Sequence, residues 1–235
     1  MKRKVLITGS SKGLGLSLAR KYLEEGCLVF ACVRDVNSVE IVKLKEQYQD
    51  TLIVVEMDVV STPSVEQAFE VVSQYTDHLD IIINNAAIHS VTSSKVLEET
   101  DIDDCMNLYN INSVGPLRVS KAFMPLIKNV ENWMLINISS ESGSISAARR
   151  DREFAYCMSK AALNMATKLL HNYLKDQLVN VLAGHPGCLK TDMGGSNADF
   201  DPYDIACQLV DMFEELKDDD DGPIFVDHKG KVYPW

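Results

Sequence analysis

VLITGSSKGLG, at residues 5–15, decides the fold of this chain. A β-branched run, which predicts a strand, leads into a glycine-rich turn and then into a periodic apolar stretch at 14–25, which predicts a helix. Glycine lets backbone amides approach a phosphate closely, and a helix N-terminus attracts anions. Gly9, Gly13 and Gly15 therefore favour a nucleotide site, although their spacing differs from the usual G-x-G-x-x-G. The alternative is a turn that serves packing alone.

Alternating strands and helices continue through the rest of the 235 residues. Further strands are predicted at 28–33, 52–56, 79–84, 133–138, 179–183 and 224–226, and further helices at 36–48, 64–75, 101–126, 154–174 and near Tyr203. Unbroken apolar strands between helices are typical of a parallel sheet covered on both faces. The chain is therefore predicted to be one α/β domain, 1–235, with a doubly wound, Rossmann-type sheet of seven parallel strands flanked by helices. Ligands bind such sheets beyond the carboxyl ends of the strands.

Composition limits the kinds of partner. A net charge of −11 argues against broad binding to nucleic acid or to an anionic membrane, because such binders carry a basic stripe. No apolar run reaches the length of a membrane span or of a signal peptide, so a cytoplasmic protein is expected. The six cysteines lack metal-ligand spacing, which predicts that there is no metal site. The four aspartates at 218–221 predict a solvated loop.

A second motif, YCMSK at 156–160, lies in the predicted helix 154–174. A spacing of four residues places Tyr156 and Lys160 on one helical face. Lowering a phenol pKa by about 3 requires roughly 4 kcal/mol, which one unit charge about 4 Å away supplies at an effective dielectric near 20. The pair is therefore a candidate for proton transfer near neutrality. The alternative is an amphipathic helix with an interfacial tyrosine and a snorkelling lysine.

Several motifs together resemble the short-chain dehydrogenase/reductase family over nearly the whole chain and in the family's order. They are TGSSKGLG at 8–15, NNAA at 84–87, Asn112 with Gly115, Ser140, YCMSK at 156–160 and HPGCLKT at 185–191. Through TDMGG at 191–195 and the Pro234-Trp235 end, the chain is most similar to sniffer-like carbonyl reductases and C-factor-type cell-contact-signalling proteins. The resemblance implies an oxidoreductase that uses a nicotinamide nucleotide.

The resemblance also implies catalytic roles. Tyr156 would be the general acid that protonates a carbonyl oxygen, and Lys160 would lower its pKa and bind the nicotinamide ribose. Ser140 would hydrogen-bond the reacting oxygen as charge develops on it. Its neighbour Ser139 is the rival for that role.

The resemblance also implies a role for one asparagine and an unusual length for one loop. Asn112 would complete a proton relay through water to the lysine, with Asn110 as the fallback. The loop at 144–153 is about three residues longer than is common in the family. Its Arg149, Arg150 and Arg152 either form a solvated loop or attract an acidic substrate.

The implied cofactor site draws on several strand ends. Its residues are Gly9, Ser11, Lys12, Gly13, Leu14, Gly15, Arg34, Asp58, Val59, Asn85, Ala86, Ala87, Tyr156, Lys160, Pro186, Gly187 and Thr191. A 2′-phosphate needs cations, whereas a free ribose diol favours an acid at the end of strand two. Val33 stands where NAD-preferring relatives carry that acid, and Arg34 and Lys12 are cations, so NADP(H) is expected. Asp35 is the contrary feature.

The expected function is NADPH-dependent reduction of an aldehyde or ketone to an alcohol, with a small-molecule carbonyl or alcohol as substrate. One alternative is a nucleotide-binding signalling protein of the C-factor type, in which turnover is secondary. Another is an oxidative dehydrogenase of alcohols or steroids. The predicted helices 101–126 and 154–174 resemble the family's dimer interface, so a homodimer is expected.

Overall fold

The computed structural model of the chain describes residues 2–90, 95–127, 133–177, 179–217 and 224–235, so the aspartates at 218–221 lie outside the described residues. The strands are β1 (Lys4–Thr8), β2 (Leu28–Val33), β3 (Leu52–Glu56), β4 (Ile81–Asn84), β5 (Trp133–Ile138), β6 (Val179–His185) and β7 (Phe225–Asp227). The α-helices of the described ranges are α1 (Gly13–Glu24), α2 (Val39–Gln47), α3 (Thr62–Ser73), α4 (Asp104–Tyr109), α5 (Gly115–Phe123), α6 (Phe154–Leu174) and α7 (Pro202–Leu216).

The seven strands form one parallel sheet in the order β3-β2-β1-β4-β5-β6-β7. The chain winds outward from β1 in one direction and then, from β4, in the other. The predicted doubly wound sheet of seven parallel strands is therefore confirmed. The reversal leaves a crevice beyond the carboxyl ends of β1 and β4, where such sheets bind ligands.

Two apolar layers hold the helices against the sheet. On one face, α1, α2 and α7 pack around fully buried side chains such as Leu18 and Phe213. On the other face, α3 and α5 pack around Phe30, Phe123 and Trp133. Each large side chain buried in this way contributes about 1.5–3 kcal/mol of transfer free energy. The strands are thus covered on both sides, which explains why they read as unbroken apolar runs.

The predicted helical stretch at 101–126 is confirmed from 104 to 126, but it is not a regular α-helix throughout. The chain forms α4, a π-helical turn at Asn110–Val114, α5 and a 3₁₀ turn at Met124–Leu126. Pro116 has no N–H, so the i→i−4 hydrogen-bond ladder cannot continue through it and widens locally. The preceding Gly115 packs closely against Val59, in the loop before α3. A Cβ at position 115 would lie only 3.0 Å from Val59 Cγ2.

Other predicted boundaries differ by a few residues. Helix α2 begins at Val39 rather than at 36, because Asp35 Oδ1 accepts a hydrogen bond from the Asn37 amide at 2.9 Å and forms a turn. Strand β6 continues to His185, because its last residues pair with β7.

Candidate active site

A cavity of about 840 Å³ opens at the carboxyl ends of the first six strands. Every residue that sequence reasoning assigned to the cofactor lines this cavity, and so does Ser140. Within the described ranges, no group of His, Cys, Asp and Glu side chains is arranged to hold a metal ion. No helix in those ranges is long and apolar enough to cross a membrane.

The glycine loop is pressed against the end of β4. Gly9 has a φ of +69°, and a Cβ there would lie 2.8 Å from Ala86 Cα. At Gly15 a Cβ would lie 2.3 Å from the Gly9 carbonyl oxygen. The Asn85 amide donates hydrogen bonds to the carbonyls of Thr8 at 2.9 Å and Gly9 at 3.2 Å. These contacts require glycine, and they leave a backbone cradle at the N-terminus of α1 that fits the pyrophosphate of a dinucleotide.

The cations beside this cradle differ in availability. Arg34 is exposed, lines the cavity and has no ion-pair partner within the part of the chain that the structure describes. Lys12 Nζ lies 2.6 Å from Asp192 Oδ2, so this second cation is already paired. Asp35 forms its turn with Asn37 and is not part of the cavity wall. Arg34 is therefore the charge best placed for a 2′-phosphate.

Tyr156, Ser140 and Lys160 come together in the wall of the same cavity. Ser140 Oγ donates to Ser142 Oγ at 3.1 Å and accepts from the Ser142 amide at 3.1 Å, and its hydroxyl lies close enough to Tyr156 to lower the pKa of the phenol. Lys160 is only 2% exposed and donates to the Ile138 carbonyl at 2.8 Å. Its ammonium lies 5.8 Å from the centroid of the Tyr156 ring. Two hydroxyl donors and one buried cation thus face a single region.

The ionisation of Tyr156 differs from the sequence-based expectation. Burial raises the pKa of Tyr156 to about 12, although the neighbouring Ser140 hydroxyl acts in the opposite direction. Burial also lowers the pKa of Lys160 to about 8. The sequence-based arithmetic counted the attraction of the cation and left out the desolvation of the phenolate, which is the largest cause in this fold. Proton transfer by the pair near neutrality stays a prediction.

The two neighbouring serines have different surroundings. Ser139 Oγ donates to Asn164 Oδ1 at 2.6 Å within the core, whereas Ser140 lines the cavity together with Tyr156 and is hydrogen-bonded to Ser142. Ser139 therefore serves packing between β5 and α6. Ser140 is the serine whose hydroxyl is available at the reacting position.

The two candidate asparagines both have structural partners. The Asn112 side chain accepts from the Ile88 amide and donates to the Ile88 carbonyl, both at 2.9 Å, and donates to Ser159 Oγ at 3.0 Å. Asn110 Oδ1 accepts a hydrogen bond from Arg118 at 2.7 Å. Asn112 is fully buried and is absent from the cavity wall, unlike the other three residues assigned to catalysis. Its side chain fixes the loop after β4 against α6.

Sequence reasoning missed three polar side chains that line the cavity near Tyr156 and named a fourth, Arg150, only as part of an arginine-rich loop. The three are His89, Glu141 and Glu153. The only signal was the arginine-rich loop, within which Arg149 and Arg152 do not line the cavity. The others belong to no motif, so no spacing could have identified them.

His185 also lines the cavity, at the end of β6. Burial lowers its pKa to about 4, and its Nδ1 accepts a hydrogen bond from the Gly187 amide at 3.4 Å. A neutral, backbone-bonded histidine supports the loop that carries Pro186 and Thr191 rather than acting as a base.

Comparison with known proteins identifies relatives of the whole chain. Residues 3–201 match the family model described as short chain dehydrogenase. C-signal from Myxococcus xanthus is 32% identical over 160 residues, which are 68% of this chain and 95% of that protein. An uncharacterised oxidoreductase of Schizosaccharomyces pombe is 34% identical over 194 residues, which are 82% of this chain and 75% of that protein.

Solved structures give the same result. The NADPH-bound carbonyl reductase from chicken fatty liver superposes with a TM-score of 0.90 at 29% identity, covering 100% of this chain and 99% of that one. The carbonyl reductase Sniffer of D. melanogaster superposes with a TM-score of 0.91 at 27% identity, covering 100% of both chains. The chain therefore belongs to the short-chain dehydrogenase/reductase family of oxidoreductases.

Proposed function

We propose that this protein reduces aldehydes or ketones to alcohols with NADPH. The observation that carries the proposal is the meeting of Tyr156, Ser140 and Lys160 in one cavity with the glycine cradle. The cofactor, when bound along the cradle, supplies a hydride, and the chain supplies the proton. The carbonyl reductases among the structural relatives support this reading.

The proposed chemistry follows from the surroundings of Tyr156. Its hydroxyl and that of Ser140 are two donors for one carbonyl oxygen, and both hydrogen bonds strengthen as negative charge develops on that oxygen. A phenol with a pKa near 12 stays protonated at neutral pH, as a proton donor must. After it gives up its proton, the phenolate is stabilised by the Ser140 hydroxyl and by the nearby Lys160 ammonium. These roles are those that carbonyl reduction requires of the chain.

The test of activity is NADPH consumption, followed by absorbance, with a panel of aldehydes, ketones and diketones. Tyr156→Phe is the matched variant, because it removes only the hydroxyl. We expect turnover of at least one substrate to fall by about 10²-fold or more in that variant, while NADPH binding is retained. A wild-type protein that turns over no substrate faster than Tyr156→Phe contradicts the proposal. The signalling alternative would instead require the biological effect to survive that substitution.

The proposed preference for NADPH depends on Arg34. Arg34→Ala should lower the ratio of NADPH efficiency to NADH efficiency by about tenfold to a hundredfold, because a charged hydrogen bond to a phosphate contributes about 1.5–3 kcal/mol. Asp35→Ala is the control, because its carboxylate is engaged in a turn outside the cavity wall. An unchanged ratio in Arg34→Ala means that the cofactor assignment is wrong.

We also propose a homodimer formed through α4, α5 and α6. These helices carry apolar side chains that are 40% to 71% exposed in the single chain: Met106, Tyr109, Leu117, Met158, Met165, Leu169 and Tyr173. Large exposed apolar side chains gathered on a few helices are typical of an interface. Met165→Glu should halve the mass measured by sedimentation velocity, whereas Val39→Glu, on α2, should leave it unchanged. A wild-type monomer contradicts the proposal.

The proposed location is the cytoplasm. All six cysteines are free thiols in the structure. Free thiols persist in a reducing compartment. Fractionation of cells with an antibody against the protein is the direct test.

A further inference from the structure

Three segments of the chain bring charged or ring side chains to Tyr156. The guanidinium of Arg150, from the loop at 144–153, contacts Glu141 Oε1 with one nitrogen and Glu153 Oε2 with the other. The second oxygen of Glu153 lies 3.4 Å from His89 Nε2. The His89 ring in turn lies against the Tyr156 ring, with centroids 4.7 Å apart and planes inclined by 55°. We call His89, Glu141, Arg150 and Glu153 the charged cluster.

The backbone at Glu153 is strained. Its φ of +65° makes it the sole non-glycine residue with positive φ among the described residues. That conformation costs a non-glycine residue about 1–2 kcal/mol and persists only where the surroundings enforce it. Here the enforcing contacts are those with Arg150 and His89, and the Glu153 side chain is only 17% exposed. Such strain directly before the helix of Tyr156 is typical of a functional position.

We infer that Glu153 and Arg150 are positioning residues, which hold the His89 ring against the Tyr156 ring and bring one negative and one positive charge to its surroundings. This inference rests on the proposed function, because it concerns the tyrosine that would donate the proton. A carboxylate beside a phenol disfavours the phenolate, and a guanidinium favours it. In the structure the Glu153 charge raises the pKa of Tyr156 and the Arg150 charge lowers it, as smaller effects than burial.

Other groups also face Tyr156 and must be held constant. Lys160 and Cys157 lie on the same helix, Glu141 lies on the turn after β5, and His185 lines the cavity from the end of β6. Arg150→Gln also removes the ion-pair partner of Glu141, and Glu153→Gln removes that of His89, whose ring packs against Tyr156. The opposite signs expected for the two variants, rather than the size of either shift, therefore test the inference.

The test follows ionisation without requiring turnover. The tyrosines are replaced with 3-fluorotyrosine, and the ¹⁹F resonance of Tyr156 is assigned from its absence in Tyr156→Phe. A pH titration then gives the ionisation constant of this residue. We expect Glu153→Gln to increase the constant by about threefold to tenfold and Arg150→Gln to decrease it by a similar factor, as one partly screened charge would. Arg150→Lys should restore most of the wild-type value.

Arg152→Gln is the matched control. Arg152 lies in the same loop, pairs with Asp151 and is outside the cavity wall, so its removal should leave the titration unchanged. Shifts of the same sign in Glu153→Gln and Arg150→Gln, no shift in either, or an equal shift in Arg152→Gln each overturn the inference. Thermal unfolding is measured for every variant, and if Glu153→Gln does not fold, the comparison of Arg150→Gln with Arg150→Lys decides.

The inference and the proposed function fail separately. A chain that reduces no carbonyl but shows the opposite shifts keeps the inference and loses the function. A chain that reduces carbonyls while its titration is unaffected keeps the function and loses the inference. When both hold, alcohol oxidation at a fixed pH below the Tyr156 midpoint should be fastest in Glu153→Gln and slowest in Arg150→Gln, because the rate follows the phenolate fraction.

Discussion

Gly15→Ala should damage both the fold and the cofactor site through one clash. A Cβ at this position would lie 2.3 Å from the Gly9 carbonyl oxygen and 2.5 Å from Asn85 Nδ2, whereas ordinary contact begins at 3.4 Å. The glycine loop must therefore move by about 1 Å. Overpacking of this kind costs about 1–3 kcal/mol, and loss of the two Asn85 hydrogen bonds costs about 1 kcal/mol each. The total, about 3–5 kcal/mol, corresponds to a fall in Tm of roughly 6–20 °C for a chain of this size.

The measurement is thermal unfolding by circular dichroism, with and without NADPH. Gly184→Ala is the control, because the nearest atom to a Cβ there is 3.7 Å away and neither glycine has positive φ. NADPH at a hundred times its Kd should stabilise wild type and Gly184→Ala by about 2.7 kcal/mol and should stabilise Gly15→Ala far less. If Gly15→Ala unfolds within about 2 °C of Gly184→Ala and keeps the full NADPH effect, the reasoning about the cradle is refuted.

Three other experiments separate the roles of residues around the cavity. Burial holds the pKa of Lys160 at about 8 in the folded chain, below its ordinary 10.5. Between these two pH values the unfolded chain binds more protons, so the free energy of unfolding rises with pH, by about 3 kcal/mol in total. Urea unfolding should show that Lys160→Met abolishes this rise. Asp192→Asn breaks an exposed ion pair, so the free energy of unfolding should change by less than about 0.5 kcal/mol. The same substitution frees Lys12, so calorimetric titration should show NADPH binding that is a few-fold tighter. Ser139→Ala should cost about 1–3 kcal/mol of stability and spare turnover, whereas Ser140→Ala should lower turnover by about 10²-fold and spare stability.

The sheet was predictable because its strands are buried on both faces. β2, β3 and β5 begin and end where the apolar runs do, since polar residues or turns bound each run. The π-helical turn at Asn110–Val114 was not predictable from periodicity, because the apolar pattern continues through it. One cause is Pro116, which lacks an N–H. The other is the tertiary contact of Gly115 with Val59. Such a contact has no signature in a single sequence.

The two ends of the cavity differed in how far the sequence could predict them. The cofactor end was found because the carboxyl ends of parallel strands meet at one edge, so short motifs after successive strands must converge. The charged cluster comes from three segments that share no motif, and its members meet only through the ion pairs that Arg150 and Glu153 form. Charge on that loop predicted a solvated surface equally well. Arg150 belongs to the site because of the ion pairs that it forms, and these could not be predicted from the sequence.

The spacing of Tyr156 and Lys160 also could not fix their ionisation. Burial strengthens the attraction between a phenolate and an ammonium, but it raises the cost of charging each group as well. In this cavity the second effect is larger for both residues, since the pKa of Tyr156 rises to about 12 and that of Lys160 falls to about 8. At neutral pH the phenol keeps its proton while the lysine keeps most of its charge. A protonated phenol beside a charged lysine can donate its proton when negative charge develops on a carbonyl oxygen. The burial of the pair, which the spacing of the two residues does not reveal, therefore suits it to reduction.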